Sequence, residues 1–295
     1  MKLISIQEEH SFTSKYPNRD FRFVAQFSRL CRAYHFNMHC KPVRGRIMRE
    51  FWQGVVATGA HPQDIVLLQQ RPNLYIDWNL NEAQHNAGNP PPPNVLHVGL
   101  HPQPFIGNIA DPLIFILHGN PGFSIRDYSD EFENPTHAAA CIQNLQNADL
   151  GFFPLGNASL GTGAADYWLN AFSGAITALA NSRNISIDDS RDIIRRNVGL
   201  IESCAYHSNI TPGRWTDDLP SSRLAREYVC EVVLPRAKRG DSLVFIWRRV
   251  GRDDYWRRGD THPNIMVRAS RAAQSRNLLR SEQAAIVNFL DAHVY

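Results

Sequence analysis

The chain has 295 residues, of which 43% are hydrophobic and 20% charged, enough for a sizeable core and unlike a disordered chain. Its net charge of +3 says little about partners, and no apolar run approaches the roughly 18 residues of a membrane span. Five scattered cysteines without a CxxC pair exclude a disulfide framework and a zinc cage of usual spacing.

The opening residues, MKLISIQEEHSF, lack the apolar stretch of a secretory signal, so a reduced, cytoplasmic setting is expected. Residues 1–88 read as a helical N-terminal region. Ala25–Tyr34 and Arg46–Thr58 carry apolar residues at helical spacing, with Pro42 and Gly45 separating them. Cys31, His35, His39 and Cys40 lie close together, but their spacing fits no standard metal cage, and no metal is expected. Residues 89–94, NPPPPN, form a stiff polyproline spacer and mark a boundary.

Residues 95–295 alternate strands with helices, the pattern of an α/β domain with a mostly parallel sheet. Val95–Leu100 reads as a short extended segment and His101–Ile109 as a loop over the sheet rim. Pro112–Leu117 is an apolar run suited to a strand buried on both faces, and it stops at the turn His118-Gly119-Asn120-Pro121-Gly122. Helices are predicted over residues 135–147, 167–180 and 186–197, the second presenting Trp168, Phe172 and Ile176 as a core stripe. Gly156–Gly163 reads as a flexible glycine-rich loop, without the strand that a phosphate cradle requires.

A second buried strand, Val198–Glu202, ends on a carboxylate, which is costly unless paired or used. A helix over 223–234 is expected to stop at Pro235. Strands at 242–247 and 265–268 and a closing helix at 281–294 complete a four-stranded sheet. Asn120, Glu202, Arg248 and Ser270-Arg271 all stand at strand ends, where α/β sheets place their ligands. Between Arg236 and Arg280 twelve Lys/Arg face four Asp, the footprint of an anion-binding face or of a solvated basic surface.

At these residues the chain resembles the uracil-DNA glycosylase superfamily. FILHGNPG (Phe115–Gly122) is similar to its GxNPG first motif, with His118 where the first glycine would stand. VGLIES (Val198–Ser203) resembles the strand that reads the flipped base, and LVFIWRR (Leu243–Arg249) the strand before the second motif. By position SRAAQSRN (Ser270–Asn277) corresponds to that second motif, though its residues differ; Thr261-His262-Pro263-Asn264 precedes its strand, and His262 reads as a loop histidine.

The resemblance implies a three-layer αβα fold and metal-independent hydrolysis of an N-glycosidic bond in DNA, without a cofactor. Double-stranded DNA with one base flipped into a pocket would be the partner of a monomeric enzyme. It further implies that Asn120 places the attacking water, with Asp127 and Asp130 as nearby carboxylates; both also suit helix N-capping. Phe123 and Tyr128 are candidates for stacking on the base, although Phe123 equally suits the core. Glu202, Tyr206 and His207 would line the base pocket. Where many relatives have Asn, Glu202 accepts from cytosine N4 and repels uracil carbonyls, so a cytosine-type base is expected if Glu202 is ionised. Arg248, Arg249, Arg252, Arg257, Arg258, Ser270, Arg271 and Arg276 would bind DNA. Some relatives defend bacteria against phages with bulky modified cytosines, such as glucosylated hydroxymethylcytosine, which a roomy pocket would suit. Two alternatives stand beside this reading: an inactive nucleic-acid-binding protein on the same fold, and a small-molecule hydrolase using His118 and Asp127.

Overall fold

Two chain segments too apolar to face water on either side become neighbouring interior strands, and the site is built where they end. The structure, a computed structural model, describes residues 43–53, 55, 59–89, 92, 94–146, 150–210, 213–248, 255–256, 262–268 and 277–294. A small parallel pair, β1 (Tyr75–Ile76) and β2 (Leu96–His97), stands apart from the main sheet. That sheet contains β3 (Phe105–Ile106), β4 (Ile114–His118), β5 (Val198–Glu202), β6 (Leu243–Ile246) and β7 (Ile265–Val267), in the order β3-β5-β4-β6-β7. All neighbours are parallel except β3, which is antiparallel to β5.

The protein is thus α/β with a mixed, mostly parallel sheet, but the sheet has five strands where four were expected. The extra strand falls within 101–109. Prolines at 102 and 104 leave it only two paired residues, too few to show period-two patterning.

The helices are α1 (Val43–Trp52), α2 (Pro62–Leu68), α3 (Leu80–His85), α4 (Arg126–Phe132), α5 (Pro135–Gln146), α6 (Gly163–Arg183), α7 (Ile187–Asn197), α8 (Pro220–Tyr228), α9 (Leu234–Arg239) and α10 (Arg280–His293). Successive residues of β4 point to opposite faces and enter different apolar clusters. Phe115 and Leu117 pack with Met48, Trp52, Tyr228 and Val233, whereas Ile114 and Ile116 pack with Phe172, Ile176, Ile194 and Ile286. The stripe Trp168, Phe172 and Ile176 is buried as expected.

Several boundaries differ from expectation. The first described helix runs over Val43–Trp52, with Gly45 inside it, and ends before Thr58. Met48, Trp52 and Leu68 share a cluster with Phe115, and Val43–Tyr295 is one compact unit. Ala25–Tyr34 and the Cys31/His35/His39/Cys40 group lie outside the described residues.

Pro235 does not end its helix. A widened π turn, Val229–Val233, joins α8 to α9, and Pro235 falls in the first turn of α9. A proline clashes with the preceding helical turn and donates no hydrogen bond, so a local expansion there lets the chain continue. Within 156–163 a short 3₁₀ turn, Asn157–Ser159, directly follows another at Phe153–Leu155, whose three residues are buried.

One glycine near the small sheet has no room for a side chain. A Cβ at Gly99 would run into the Trp78 carbonyl oxygen. Gly99→Ala should therefore cost about 1–3 kcal/mol of stability, measured as a lower midpoint in urea with unchanged slope. An unchanged midpoint would show that the Trp78 backbone yields freely.

Candidate active site

The parallel register sets the first contact of the site. His118 and Glu202 are β4–β5 partners at the carboxyl ends of their strands. The His118 Nδ1 lies 3.1 Å from both Glu202 oxygens, so the ring donates and the buried carboxylate is paired. On its other side, His118 Nε2 accepts a long bond of 3.5 Å from Arg248 Nε, two residues beyond β6. His118 thus links the ends of three strands.

Beyond the strands, the two chain segments stay side by side. Ser203 N, Cys204 N and Ser208 N donate to the carbonyls of His118, Gly119 and Pro121, at 3.2, 2.9 and 3.1 Å. Asn120, buried at 5% exposure, staples them: its Nδ2 donates to Pro121 O at 2.7 Å and Ser208 O at 2.9 Å. With both amide hydrogens spent, Asn120 has only its Oδ1 to offer a ligand.

These residues border a cavity of about 930 Å³ outside the carboxyl ends of the strands. Asn120, Phe123, Asp127, Asp130, Glu202, His207 and Arg248 line it, so seven of the expected site residues are brought together from four parts of the chain. His118, Glu131, His137, Tyr167 and Trp168 join them.

Two expected base-binding residues do not line it. Tyr128 is fully buried, with its hydroxyl 3.2 Å from His97 Nδ1. Tyr206 is also fully buried; its hydroxyl donates to Asp64 Oδ2 at 2.6 Å and accepts from His61 N at 3.0 Å. Both are core tyrosines, which bury the ring and satisfy the hydroxyl internally. Phe123 lines the cavity but stacks one face on His97, with centroids 3.5 Å apart at 10°. Arg249, Arg252, Arg257, Arg258, Ser270, Arg271 and Arg276 lie outside the described residues. His262 is a loop histidine whose Nδ1 accepts from Asn264 N.

The carboxylates on α4 differ in their ties. Asp130 Oδ2 accepts from Gly163 N at 2.7 Å and pairs with Arg126, anchoring the first turn of α6. Among the described residues Asp127 accepts only from Ser124 N, at 2.7 Å, while Oδ2 stands 3.8 Å from His207 Nδ1. Burial, reinforced by the charges of Glu131 and Asp130, pushes its carboxyl up to about 6, against the opposing pull of His207 and the Ser124 amide. An acid of that strength changes state near neutral pH, as a general base must.

Sequence reasoning missed Glu131 as a cavity residue. It is buried and takes two bonds at 2.8 Å on Oε2, from the backbone N and Nδ1 of His101. The i, i+4 spacing of Asp127 and Glu131, placing both on one face of α4, was the available signal. Burial lowers His97 to about 3, helped by His207, and also lowers His137. Among the described residues no cluster of three His, Cys, Asp or Glu is arranged to hold a metal ion. No family model, curated protein or solved structure matches the chain.

Proposed function

We propose that the protein is a DNA glycosylase that hydrolyses the N-glycosidic bond of a flipped, cytosine-type base to leave an abasic site, on a three-layer architecture like that of the uracil-DNA glycosylases. The observation that carries this reading is the meeting of Asn120, Asp127 and Glu202 in one cavity, with Asp127 pushed up to about 6.

In this reading the flipped base enters beside Phe123 and presents its exocyclic amino group to Glu202. The carboxylate keeps lone pairs for it after accepting from His118. As the bond between C1′ and the base nitrogen lengthens, its electron pair leaves with the base and positive charge builds on the sugar. The cavity carboxylates favour that charge. Asn120 Oδ1 accepts a hydrogen of the attacking water, Asp127 takes the proton that the water loses, and the water oxygen bonds to C1′. Phosphates, which an acidic cavity repels, run instead along the arginine-rich 236–280 segment.

The volume supports a substituted base. Drug-sized ligands occupy pockets of about 300–1,000 Å³, and 930 Å³ is far more than a bare pyrimidine needs. A sugar-bearing cytosine such as glucosylated hydroxymethylcytosine fits that surplus, its hydroxyls donating to carboxylates.

The test is to incubate the protein with duplexes containing a single uracil, cytosine or glucosylated hydroxymethylcytosine and to cleave abasic sites with alkali. Cleavage is expected at the glucosylated cytosine. Abasic sites at uracil alone would sink the cytosine reading, and none on any duplex would sink the glycosylase reading. Glu202→Gln, which adds a donor where only acceptors stood, should reduce preference for the amino-bearing base by roughly ten- to hundredfold. Competition between two duplexes in one reaction measures that ratio.

A further inference from the structure

The geometry points to His207 as a doubly protonated bridge between Asp127 and Glu131, a positioning residue that keeps Asp127 ionised. His207 leaves β5 five residues downstream of Glu202 and is buried at 6% exposure. Its Nδ1 lies 2.8 Å from the carbonyl oxygen of Gly122, which only accepts, so Nδ1 carries a hydrogen. Its Nε2 is also buried, has no hydrogen-bond partner among the described residues, and stands 3.7 Å from Glu131 Oε1.

A ring with a bare Nε2 would set the lone pair of that buried atom against a carboxylate oxygen, an unfavourable contact. A proton on Nε2 reverses the sign of that contact. Glu131 is poorly placed to take the proton itself, because its other oxygen already accepts two hydrogen bonds from His101.

The surrounding groups leave this role to His207. Burial opposes the charging of the rings of His97 and His137, in both cases with help from His207. Asp130 is engaged with Arg126 and the Gly163 amide. On α4, Asp127 and Glu131 therefore flank a single imidazole, at 3.8 Å from Nδ1 and 3.7 Å from Nε2. A positive charge there favours the ionised form of both carboxylates, opposing the burial that protonates Asp127. The catalytic consequence rests on reading Asp127 as the base; the protonation of the ring does not.

The imidazole ¹⁵N shifts of the full chain at pH 7 test the bridge directly, with His207→Asn identifying the signals. Two protonated nitrogens on His207 are expected, and a bare Nε2 would overturn the proposal. In His207→Asn, the Asp127 midpoint, followed by ¹³C-carboxyl shifts, should rise by about one pH unit or more, as loss of a close opposite charge requires. The acid limb of the pH–rate profile for base release should rise with it. An unchanged Asp127 midpoint would overturn the positioning role.

If His207→Asn does not fold, the signals are assigned from Glu131→Gln, in which the Nε2 proton of His207 should be lost from the spectrum at pH 7. An unchanged His207 spectrum there would overturn the bridge. Should no duplex release a base, the proposed function fails, while these spectra still decide the bridge.

Discussion

Replacing Asp127 with asparagine is expected, on the proposed glycosylase reading, to lower base release about 10²–10⁴-fold, the contribution of a positioned general base, while the melting temperature holds or rises. Both outcomes come from the same burial. It pushes the Asp127 carboxyl up to about 6, so the folded chain prefers the protonated acid. The cost of ionising it is absent below the ordinary aspartate range near about 4, builds as pH rises, and is fully present above about 6. An amide removes that cost at neutral pH and still accepts from Ser124 N. In the parent, base release should fall as pH drops through about 6, because the protonated acid cannot accept the proton of water. Single-turnover rates across that range, with thermal melts of both proteins, measure each limb. Parental rates from Asp127→Asn would remove Asp127 from the chemistry.

The second large effect lies away from the cavity. Arg268 and Glu282, exposed at 1% and 3% in their side chains, form a bidentate pair at 2.7 and 2.8 Å. The guanidinium also lies 3.9 Å over the Trp247 ring and donates to Asn277 O, while Glu282 accepts from Leu279 N at the start of α10. Arg268→Ala leaves the glutamate charge buried without its partner and should cost about 3–5 kcal/mol, read as a shifted denaturation midpoint. The pair Arg268→Met with Glu282→Gln should recover much of that loss, since no uncompensated charge remains. A loss under about 1 kcal/mol in the single variant, the scale of an exposed pair, would contradict the role given to this contact.

What the sequence revealed of this fold depended on how local the cause was. Pro112–Leu117 and Val198–Ile201 are too apolar to be anything but buried, and both became strands. Ser186 caps α7 through a bond to Asp189 N, a signal contained within four residues. β3 was not legible because two residues become a strand only by pairing with β5, nearly a hundred positions away. The burial of Tyr128 and Tyr206 away from the cavity was not legible for a similar reason. Aromatic character near a motif does not say which way the ring turns, and their partners His97 and Asp64 lie in segments read only as scaffold. Likewise, the His101–Glu131 contact joins a loop to a helix that sequence offered no reason to pair.

The staple formed by Asn120 bears on how the turn ages. Asparagine side chains usually lose ammonia when the next backbone nitrogen attacks the side-chain carbonyl and closes an imide ring. Here the next residue is Pro121, whose nitrogen carries no hydrogen to give up. Conversion to aspartate would set a carboxylate oxygen against the carbonyls of Pro121 and Ser208, where an amide now donates to both. The adjoining proline therefore closes the imide route of ammonia loss at the centre of the turn.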